Sequence, residues 1–189
     1  MKKIFEPLKK ELEQFDSERE VLIKRSREIL KASKAAIYAG HRGDIKGALA
    51  LLSEAKKVKL ELDKRIGEDA KLVAVGAYQE GVQEYAEAEI FLAFLQKKDI
   101  PSADAIGVGA EGYLEGMCDA TGELSRRAVN AVLEGNVKLM KEIKTKVSEI
   151  YEHLMMFDFR NSPLRSKFDR VKGNLERIED IALKVHLRE

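Results

Sequence analysis

A chain of 189 residues and 21.3 kDa is long enough for one domain with a sizeable core, and nothing in its composition calls for a second domain. Its 34 basic and 33 acidic side chains leave a net charge of +1, which excludes a strong overall positive field as the basis of nucleic-acid binding. A single cysteine, Cys118, excludes an intrachain disulfide, and no apolar run reaches the roughly 18–20 residues of a membrane-spanning helix, so we expect a cytoplasmic protein that does not contact a membrane.

The distribution of apolar residues predicts an all-α protein. Hydrophobic residues make up 44% of the chain, with only 3 prolines, and Val, Ile and Thr never cluster with the period of two that strands require. Apolar residues recur three and four apart instead. We therefore predict a single domain over residues 1–189, built as an antiparallel bundle of six or seven helices, several of them long.

The first predicted helix is long and carries a row of basic residues. Pro7 suits a first turn, and an apolar stripe then continues to about Ala39. Such a helix leaves other faces for polar residues, and one of them, followed a turn later by Tyr38, carries a basic row of four: Lys24, Arg27, Lys31 and Lys34. The row is a candidate contact for a phosphate backbone. The alternative is a solvated face balanced by Glu20 and Glu28.

A turn at residues 40–43 is expected to end this helix and to precede the second one. Asp44 is a good N-cap for the second helix, and Gly67 follows it where a C-cap would stand. His41 and Arg42 at this corner are candidate phosphate contacts. The alternative for a corner histidine is that it has no role in binding.

The third predicted helix, over residues 69–98, contains the first pair of acids. Glu84 and Glu87 are three residues apart and project from one face. Apolar residues flank both at heptad spacing: Ala77 and Phe91 for Glu84, and Val73 and Phe94 for Glu87. A buried carboxylate needs a cation, a hydrogen-bond network or a metal to offset its desolvation. The alternative is a pair of glutamates at a partly hydrated oligomer interface.

A loop is predicted over residues 97–110, and the fourth helix, over residues 111–133, carries the second pair of acids. Asp119 and Glu123 are four residues apart and share a face. If this helix and the third are antiparallel neighbours, all four acids converge.

Small and basic residues accompany this second acidic pair. Gly112 and Gly116 permit close approach by another helix or by a ligand. Arg126 and Arg127, one turn ahead, are candidate phosphate contacts. The simpler alternative is tight helix packing with an intrahelical pair between Glu123 and Arg127 that contributes about 0.2–0.5 kcal/mol.

Two more helices are predicted, over residues 137–154 and from Pro163 to the end of the sequence. The connection between them contains large apolar residues at both odd and even positions, so they cannot all face the core of a monomer: Met155, Met156, Phe157 and Phe159. Exposed apolar patches usually mark interfaces, so this connection predicts a homo-oligomer.

The four acids together form a candidate site for a hard divalent cation. Mg²⁺ prefers oxygen ligands and keeps several waters, so a few carboxylates suffice to hold one or two ions. Such ions activate a water molecule and stabilise the leaving oxygen of a phosphodiester. Phosphoryl hydrolysis is therefore the chemistry that this set favours: Glu84, Glu87, Asp119 and Glu123.

Other catalytic sites lack their signatures. A ferritin-like di-iron site needs Glu-x-x-His, and no glutamate stands three residues before His41, His153 or His186. The chain has no CxxC, HExxH or Walker lysine, which argues against zinc and P-loop nucleotide chemistry. An all-α nucleotide pyrophosphohydrolase remains an alternative because it also uses paired helical acids, although its acid spacing matches less well.

Two segments resemble the signature motifs of the translin and Trax family. QEYAEA at residues 83–88 and DATGELSRR at residues 119–127 are similar to the QEYVEA-like and DLTGEL-like motifs of Trax. The last stretch, LRSKFDRVKGNLERIEDIALKVHLRE, is similar to the C-terminal helix of the family, and the long basic first helix also agrees. The resemblance covers nearly the whole chain.

This resemblance implies a translin-like protomer of six or seven helices that assembles into a hollow octamer and binds single-stranded or nicked RNA on its inner surface. In the family, Trax-type subunits are the Mg²⁺-dependent endoribonucleases, whereas translin-type subunits bind nucleic acid without the full set of acids. This chain retains all four acids but lacks a long insertion before Gly112, and residues 161–167 are closer to translin. We therefore expect a homo-oligomer that combines both roles, and leave open whether a second subunit joins it.

The leading hypothesis is an endoribonuclease that cleaves single-stranded RNA inside a hollow homo-oligomer and depends on Mg²⁺ or Mn²⁺. Its catalytic and metal-binding residues would be Glu84, Glu87, Asp119 and Glu123. Its nucleic-acid-binding residues would be Lys24, Arg27, Lys31, Lys34, His41, Arg42, Arg126 and Arg127. The alternative is a non-catalytic oligomer that binds single-stranded RNA or DNA.

Overall fold

The computed structural model describes residues 1–187, which form eight helices and no strand. The helices are α1 Lys2–His41, α2 Ile45–Ile66, α3 Ala70–Val73, α4 Gly76–Leu95, α5 Ala103–Ile106, α6 Ala110–Leu133, α7 Val137–Leu154 and α8 Pro163–His186. Since α3 and α5 are single turns, the bundle consists of six long helices. The all-α bundle predicted from the sequence is confirmed.

The helices pack in two groups that meet at α4 and α6. On one side α1 lies along both α2 and α4, and on the other α6 contacts both α7 and α8. The long contact between α4 and α6 joins the two groups, and the residues of α4 are accordingly apolar or small around most of the helix. Tyr85, Ile90 and Phe91 are completely buried there.

The first helix differs from the prediction at both ends. It begins at Lys2, so Pro7 lies inside it, in an exposed stretch where the carbonyl group left unpaired by the missing proline N–H can bond to water. Gly40 does not break the helix. Gly40 is buried and packs so closely on α4 that a Cβ there would lie 2.8 Å from the Leu92 side chain. The turn is made instead by Gly43, whose φ is +79°.

The third predicted helix is two helices, α3 and α4. Asp69 caps α3 by accepting hydrogen bonds from the backbone N–H groups of Lys71 and Leu72, and the chain is extended again at Val75, where φ is −66° and ψ is 117°. Val73 is therefore not on the same helix as Glu87, and the heptad relation predicted between them is wrong.

The connection predicted as a loop over residues 97–110 contains the single turn α5. Ser102 caps this turn by accepting a hydrogen bond from the Ala105 N–H, and Gly107 ends it with φ of 64°. The connection is held to the body by the buried ammonium of Lys59, which donates to the Gly107 carbonyl and pairs with Asp63. Helices α2, α6 and α7 agree with their predicted spans. Helix α8 begins at Pro163 as predicted and ends at His186, and residues 188–189 of the predicted helix lie outside the described part of the chain.

The apolar connection between α7 and α8 is largely exposed in the protomer. Met155, Met156 and Phe157 are 58%, 83% and 51% exposed, whereas Phe159 is partly buried against Phe168, with ring centroids 5.2 Å apart. The expectation that a single chain leaves these residues uncovered holds for Met155, Met156 and Phe157 but not for Phe159. Within residues 1–187, no helix combines the length and hydropathy that crossing a bilayer would require.

Gly116 sets the spacing between α4 and α6. A Cβ at this position would lie 2.8 Å from the Ala86 Cβ, 2.8 Å from the Gln83 carbonyl oxygen and 2.9 Å from the Glu87 amide nitrogen. Two of these neighbours are backbone atoms, so they cannot move aside without shifting the whole helix. No larger residue fits this crossing.

We expect Gly116→Ala to destabilise the protein by about 1–3 kcal/mol, because overpacking forces the two helices apart. A matched control is Gly173→Ala in α8, where a Cβ would meet nothing within 4 Å. That control should stabilise the protein by about 0.5–1 kcal/mol, since alanine favours a helix over glycine. Urea unfolding measures both, and equal effects of the two substitutions would contradict a close crossing at Gly116.

Candidate active site

The four acids predicted from the sequence line one cavity of about 430 Å³ between α4 and α6. Glu84 and Glu87 come from α4, and Asp119 and Glu123 come from α6. The crossing at Gly116 brings the two helices close enough for these side chains to share the cavity. The other lining residues come from α1, α6 and α8: Lys34, Ile37, Tyr38, Cys118, Gly122, Arg170 and Asn174.

Glu87 is the deepest of the four acids. It is 7% exposed, and among residues 1–187 no cation or hydrogen-bond donor pairs with its carboxyl group. Burial first, and then the nearby carboxylates Glu84, Asp119 and Glu123, raise the pKa of Glu87 to about 9. This carboxyl group therefore holds a proton at neutral pH when no cation other than those of the chain is present.

Glu84 is also shielded from water but has a cation beside it. The Nζ atom of Lys34, on α1, lies 3.8 Å from a Glu84 carboxylate oxygen. Burial raises the pKa of Glu84, and the charge of Lys34 opposes this rise. The last residue of the basic row thus lies at the cavity and contacts one of its acids.

Asp119 is held by three side chains. It accepts a hydrogen bond of 2.7 Å from the amide of Gln83, a second bond from the ammonium of Lys167, and it lies 3.5 Å from the guanidinium of Arg170. Lys167 and Arg170 are both on α8, so the C-terminal helix closes the cavity and supplies positive charge to it.

Glu123 is paired with His41 and Arg126. The distance from His41 Nε2 to the Glu123 carboxylate is 2.5 Å, and Arg126 lies 3.7 Å away. The hydrogen bond to His41, followed by the charges of His41 and Arg126, lowers the pKa of Glu123. Glu123 is therefore held in its ionised form.

His41 is built into the protein interior rather than presented to solvent. Its side chain is 6% exposed, and its ring lies 4.7 Å from the ring of Phe91. Its Nδ1 atom is buried without a hydrogen-bond partner among the described residues. This position favours a role in orienting Glu123 over the direct phosphate contact that the sequence analysis considered.

The donor set fits a hard divalent cation in chemistry, although the acids are not gathered around one point. All four donors are carboxylates, and a divalent cation would offset both the burial and the carboxylate repulsion that keep Glu87 protonated. In the part of the chain that the structure describes, however, no three His, Cys, Asp or Glu side chains are close enough together to share a metal ion. The reason is visible in the contacts, since Lys34, Lys167 and His41 each draw one acid toward themselves.

The basic row lies on the surface of α1 and leads to this cavity. All four of its members are exposed, and Lys34 also borders the cavity. Arg42 is exposed at the turn after α1, and the guanidinium of Arg126 lies 5.5 Å from the centre of the Tyr38 ring. Arg127 does not pair with Glu123. It pairs with Glu134 at 2.8 Å, so the intrahelical pair offered as the simpler alternative is absent from the described residues.

Sequence analysis missed three residues of the site: Lys167, Arg170 and Asn174. They are spaced three and four apart, which places them on one face of α8, and this spacing was the available signal. Nothing in the sequence states that this face turns toward Asp119, because α8 is separated from α6 by the whole of α7.

The fold and the cavity define an all-α protein with a carboxylate-lined site between two central helices. The family model described as "Translin family" matches residues 17–189. The chain therefore belongs to the Translin family. A protein of Schizosaccharomyces pombe named Translin-associated protein X homolog is 30% identical over 210 residues, which cover 100% of this chain and 90% of that protein.

Solved structures are similar over almost the full length. The crystal structure of AfC3PO superimposes with a TM-score of 0.87 at 26% identity, covering 98% of each chain. A complex of AfC3PO with duplex RNA gives a TM-score of 0.85 at 27% identity, covering 98% of this chain and 97% of the other. The similarity confirms the translin-like bundle expected from the motifs.

The raised pKa of Glu87 has a measurable effect on stability. Folded Glu87 keeps a proton that the unfolded chain releases above its ordinary pKa of 4.5, so between about pH 4.5 and 9 the folded state binds more protons. Stability therefore falls as pH rises through this window, by up to about 1.4 kcal/mol per pH unit. Glu84 contributes in the same direction.

We expect Glu87→Gln to remove most of this pH dependence when divalent cations are chelated. At pH 8 the variant should unfold at a higher urea concentration than the unmodified protein, because its folding does not require protonation of a carboxyl group that is ionised in the unfolded chain. Glu54→Gln, at an exposed position of α2, is the control and should leave the pH dependence unchanged. If all three proteins lose stability equally between pH 6 and pH 8, Glu87 is already ionised in the folded state.

Proposed function

We propose that this protein is a metal-dependent endoribonuclease that acts within a homo-oligomer. The observation that carries the proposal is the sharing of one cavity by four carboxylates, one of which, Glu87, is buried without a direct ion pair or hydrogen bond among the described residues, although the charge of Lys167 acts on it from nearby. A protein rarely keeps such a group unless a ligand of opposite charge compensates it. Mg²⁺ or Mn²⁺, when bound, supplies a Lewis acid that polarises a phosphodiester and helps generate the nucleophile.

All four acids would hold the cation, and Glu87 and Glu123 differ from the others in protonation and orientation. Glu84 and Glu87 offer carboxylates from α4, and Asp119 and Glu123 offer carboxylates from α6. Glu87 would have to release its proton to serve as a ligand, so cation binding should be tighter at higher pH. His41 keeps the Glu123 carboxylate in a fixed orientation through its Nε2 hydrogen bond.

The cations that neutralise the acids are also well placed to contact a substrate. If Asp119 took part in holding a metal ion, Lys167 and Arg170 would lose their partner on α6 and would be free to contact a phosphate. Their positive charge then stabilises the additional negative charge that develops on a phosphate in the transition state. Arg126, beside Tyr38 at the edge of the same cavity, supports the same charge.

RNA is the proposed substrate because of the basic row and the family. The row runs along α1 to Lys34 at the cavity, as a path for a phosphate backbone would. The relative AfC3PO has been captured with duplex RNA. We propose that single strands are cleaved here, because a strand must expose its backbone within the cavity to reach the acids, whereas phosphate contacts along α1 accept either form.

A second candidate is an RNA-binding oligomer without catalytic activity. The observation that favours it is that three of the four acids are already neutralised by cations or a histidine of the chain itself, namely by Lys34, Lys167 with Arg170, and His41. In that case the acids stabilise the bundle, and divalent cations neither bind in the cavity nor promote cleavage.

Substitutions of the acids distinguish the two candidates. We expect Glu84→Gln or Asp119→Asn to reduce Mg²⁺-dependent cleavage of labelled single-stranded RNA by about 100-fold or more, while RNA binding measured in EDTA is retained. The double variant should lose little beyond either single variant, because both residues hold the same ion. Glu54→Gln is the matched control.

The second candidate predicts a different set of results. An unmodified protein that binds RNA but never cleaves it with Mg²⁺ or Mn²⁺ would establish the non-catalytic alternative. Calorimetry with Mn²⁺ gives an independent measurement, since the proposal requires binding that is lost in the double variant and accompanied by proton release. Independent, multiplicative losses in the two single variants would argue against one shared site.

We further propose that the protein forms a closed homo-oligomer, most simply an octamer, through the apolar connection between α7 and α8. Replacing Met156 and Phe157 with serine should reduce the mass measured by light scattering without loss of helical content, because both side chains are exposed in the protomer. The control is Leu133→Ser at the end of α6, because Leu133 is 81% exposed and lies outside this connection. A stable monomer of the unmodified protein at micromolar concentration would contradict the assembly.

A further inference from the structure

A second, larger cavity of about 730 Å³ lies next to His41. Four parts of the chain form it: the turn between α1 and α2, the C-terminal end of α4, Arg127 of α6, and the first turns of α7. We call it the basic groove. His41 lines it while its Nε2 atom contacts Glu123 of the acidic cavity, so one imidazole ring separates the two.

The groove carries an excess of positive charge, whereas the whole chain is nearly neutral. Five cationic side chains line it against a single carboxylate, that of Glu142: Lys97, Lys98, Arg127, Lys138 and Lys146. Lys97, Arg127 and Lys146 have carboxylate partners, at 3.9, 2.8 and 2.5 Å. Lys98 and Lys138 have none among residues 1–187, and both are exposed.

The wall between these cations is apolar. Ile45, Phe94, Leu95 and Leu139 line the groove beside the lysines, and each is only partly buried. A ligand that fits carries several negative charges and also presents apolar or aromatic surface.

We propose that the basic groove binds the continuation of the RNA strand whose scissile phosphate lies at the acids. Phosphates would contact Lys98 and Lys138, and bases or sugars would cover the apolar wall. The consecutive residues Arg126 and Arg127 connect the two sites, since Arg126 stands beside Tyr38 of the acidic cavity and Arg127 lines the groove. The inference rests on the RNA-binding function proposed above and adds a second contact surface to it.

The groove and the basic row of α1 would then hold opposite ends of a bound strand. A short oligonucleotide reaches only one of the two surfaces, whereas a longer one reaches both and gains affinity from the second set of phosphate contacts. Loss of the groove contacts should therefore weaken binding of a long strand more than binding of a short one.

The test is RNA binding by Lys98→Ala/Lys138→Ala, measured in EDTA by fluorescence anisotropy over a series of salt concentrations. These lysines have no partner in the described chain, so their removal leaves no carboxylate without a counter-charge. We expect the affinity for a long single strand to fall about tenfold and the salt slope to fall by about 1.4, which corresponds to two phosphate contacts on a single strand. The control, Lys56→Ala/Lys57→Ala, removes the same charge from an exposed face of α2 and should bind as the unmodified protein does.

Comparison with the row variant Lys24→Ala/Arg27→Ala separates failure of the groove from failure of RNA binding itself. If the row variant loses affinity and the groove variant does not, the groove proposal is wrong and the RNA-binding function stands. If the unmodified protein binds no RNA, the proposed function is wrong as well. Two other results would also overturn the groove proposal. A lower mass of the groove variant in light scattering would indicate a contact between copies of the chain. Displacement of RNA from the unmodified protein by inorganic phosphate at low millimolar concentration would indicate a site for an isolated phosphate.

Discussion

The close crossing of α4 and α6 at Gly116 is the constraint on which the rest of the site depends. At this point the missing side chain allows the backbone of one helix to lie against the backbone of the other. The acids of α4 and α6 stand on either side of this contact and are therefore forced into one cavity. Any residue larger than glycine would separate the helices and the carboxylates together, so the packing of the core and the geometry of the site are a single property of this fold.

Gathering four carboxylates in a partly dry cavity has an electrostatic cost, and the surrounding helices reduce it in two ways. Cations and a histidine from outside the α4–α6 pair neutralise three acids: Lys34 and His41 from α1, and Lys167 with Arg170 from α8. The fourth acid, Glu87, instead retains its proton. If the acids only stabilise the bundle, this neutralisation is sufficient by itself. If they bind a cation, the same arrangement is the cation-free state, because each lysine or arginine is on a flexible side chain that can move away from its acid.

His41 occupies the position where these features meet. It ends the longest helix, packs its ring on Phe91 of α4, bonds to Glu123 of α6 and lines the basic groove. An imidazole is suited to this place because its flat ring fills the core while its two nitrogens point in opposite directions. A change at His41 would therefore act on core packing, on the orientation of an acid and on the wall of the groove at once.

The sequence by itself determined the helical bundle, the acid pairs and the family. Helical periodicity and capping residues such as Asp44 and Ser162 act over a few positions, so they can be read locally, and the motifs around Glu84 and Asp119 are contiguous. The tertiary structure alone decided which distant residues meet these acids. Lys167 reaches Asp119 across 48 positions and His41 reaches Glu123 across 82, and no local pattern specifies such contacts. The break before α4 and the burial of Gly40 likewise follow from neighbouring helices, because packing overrides the preference of a short segment.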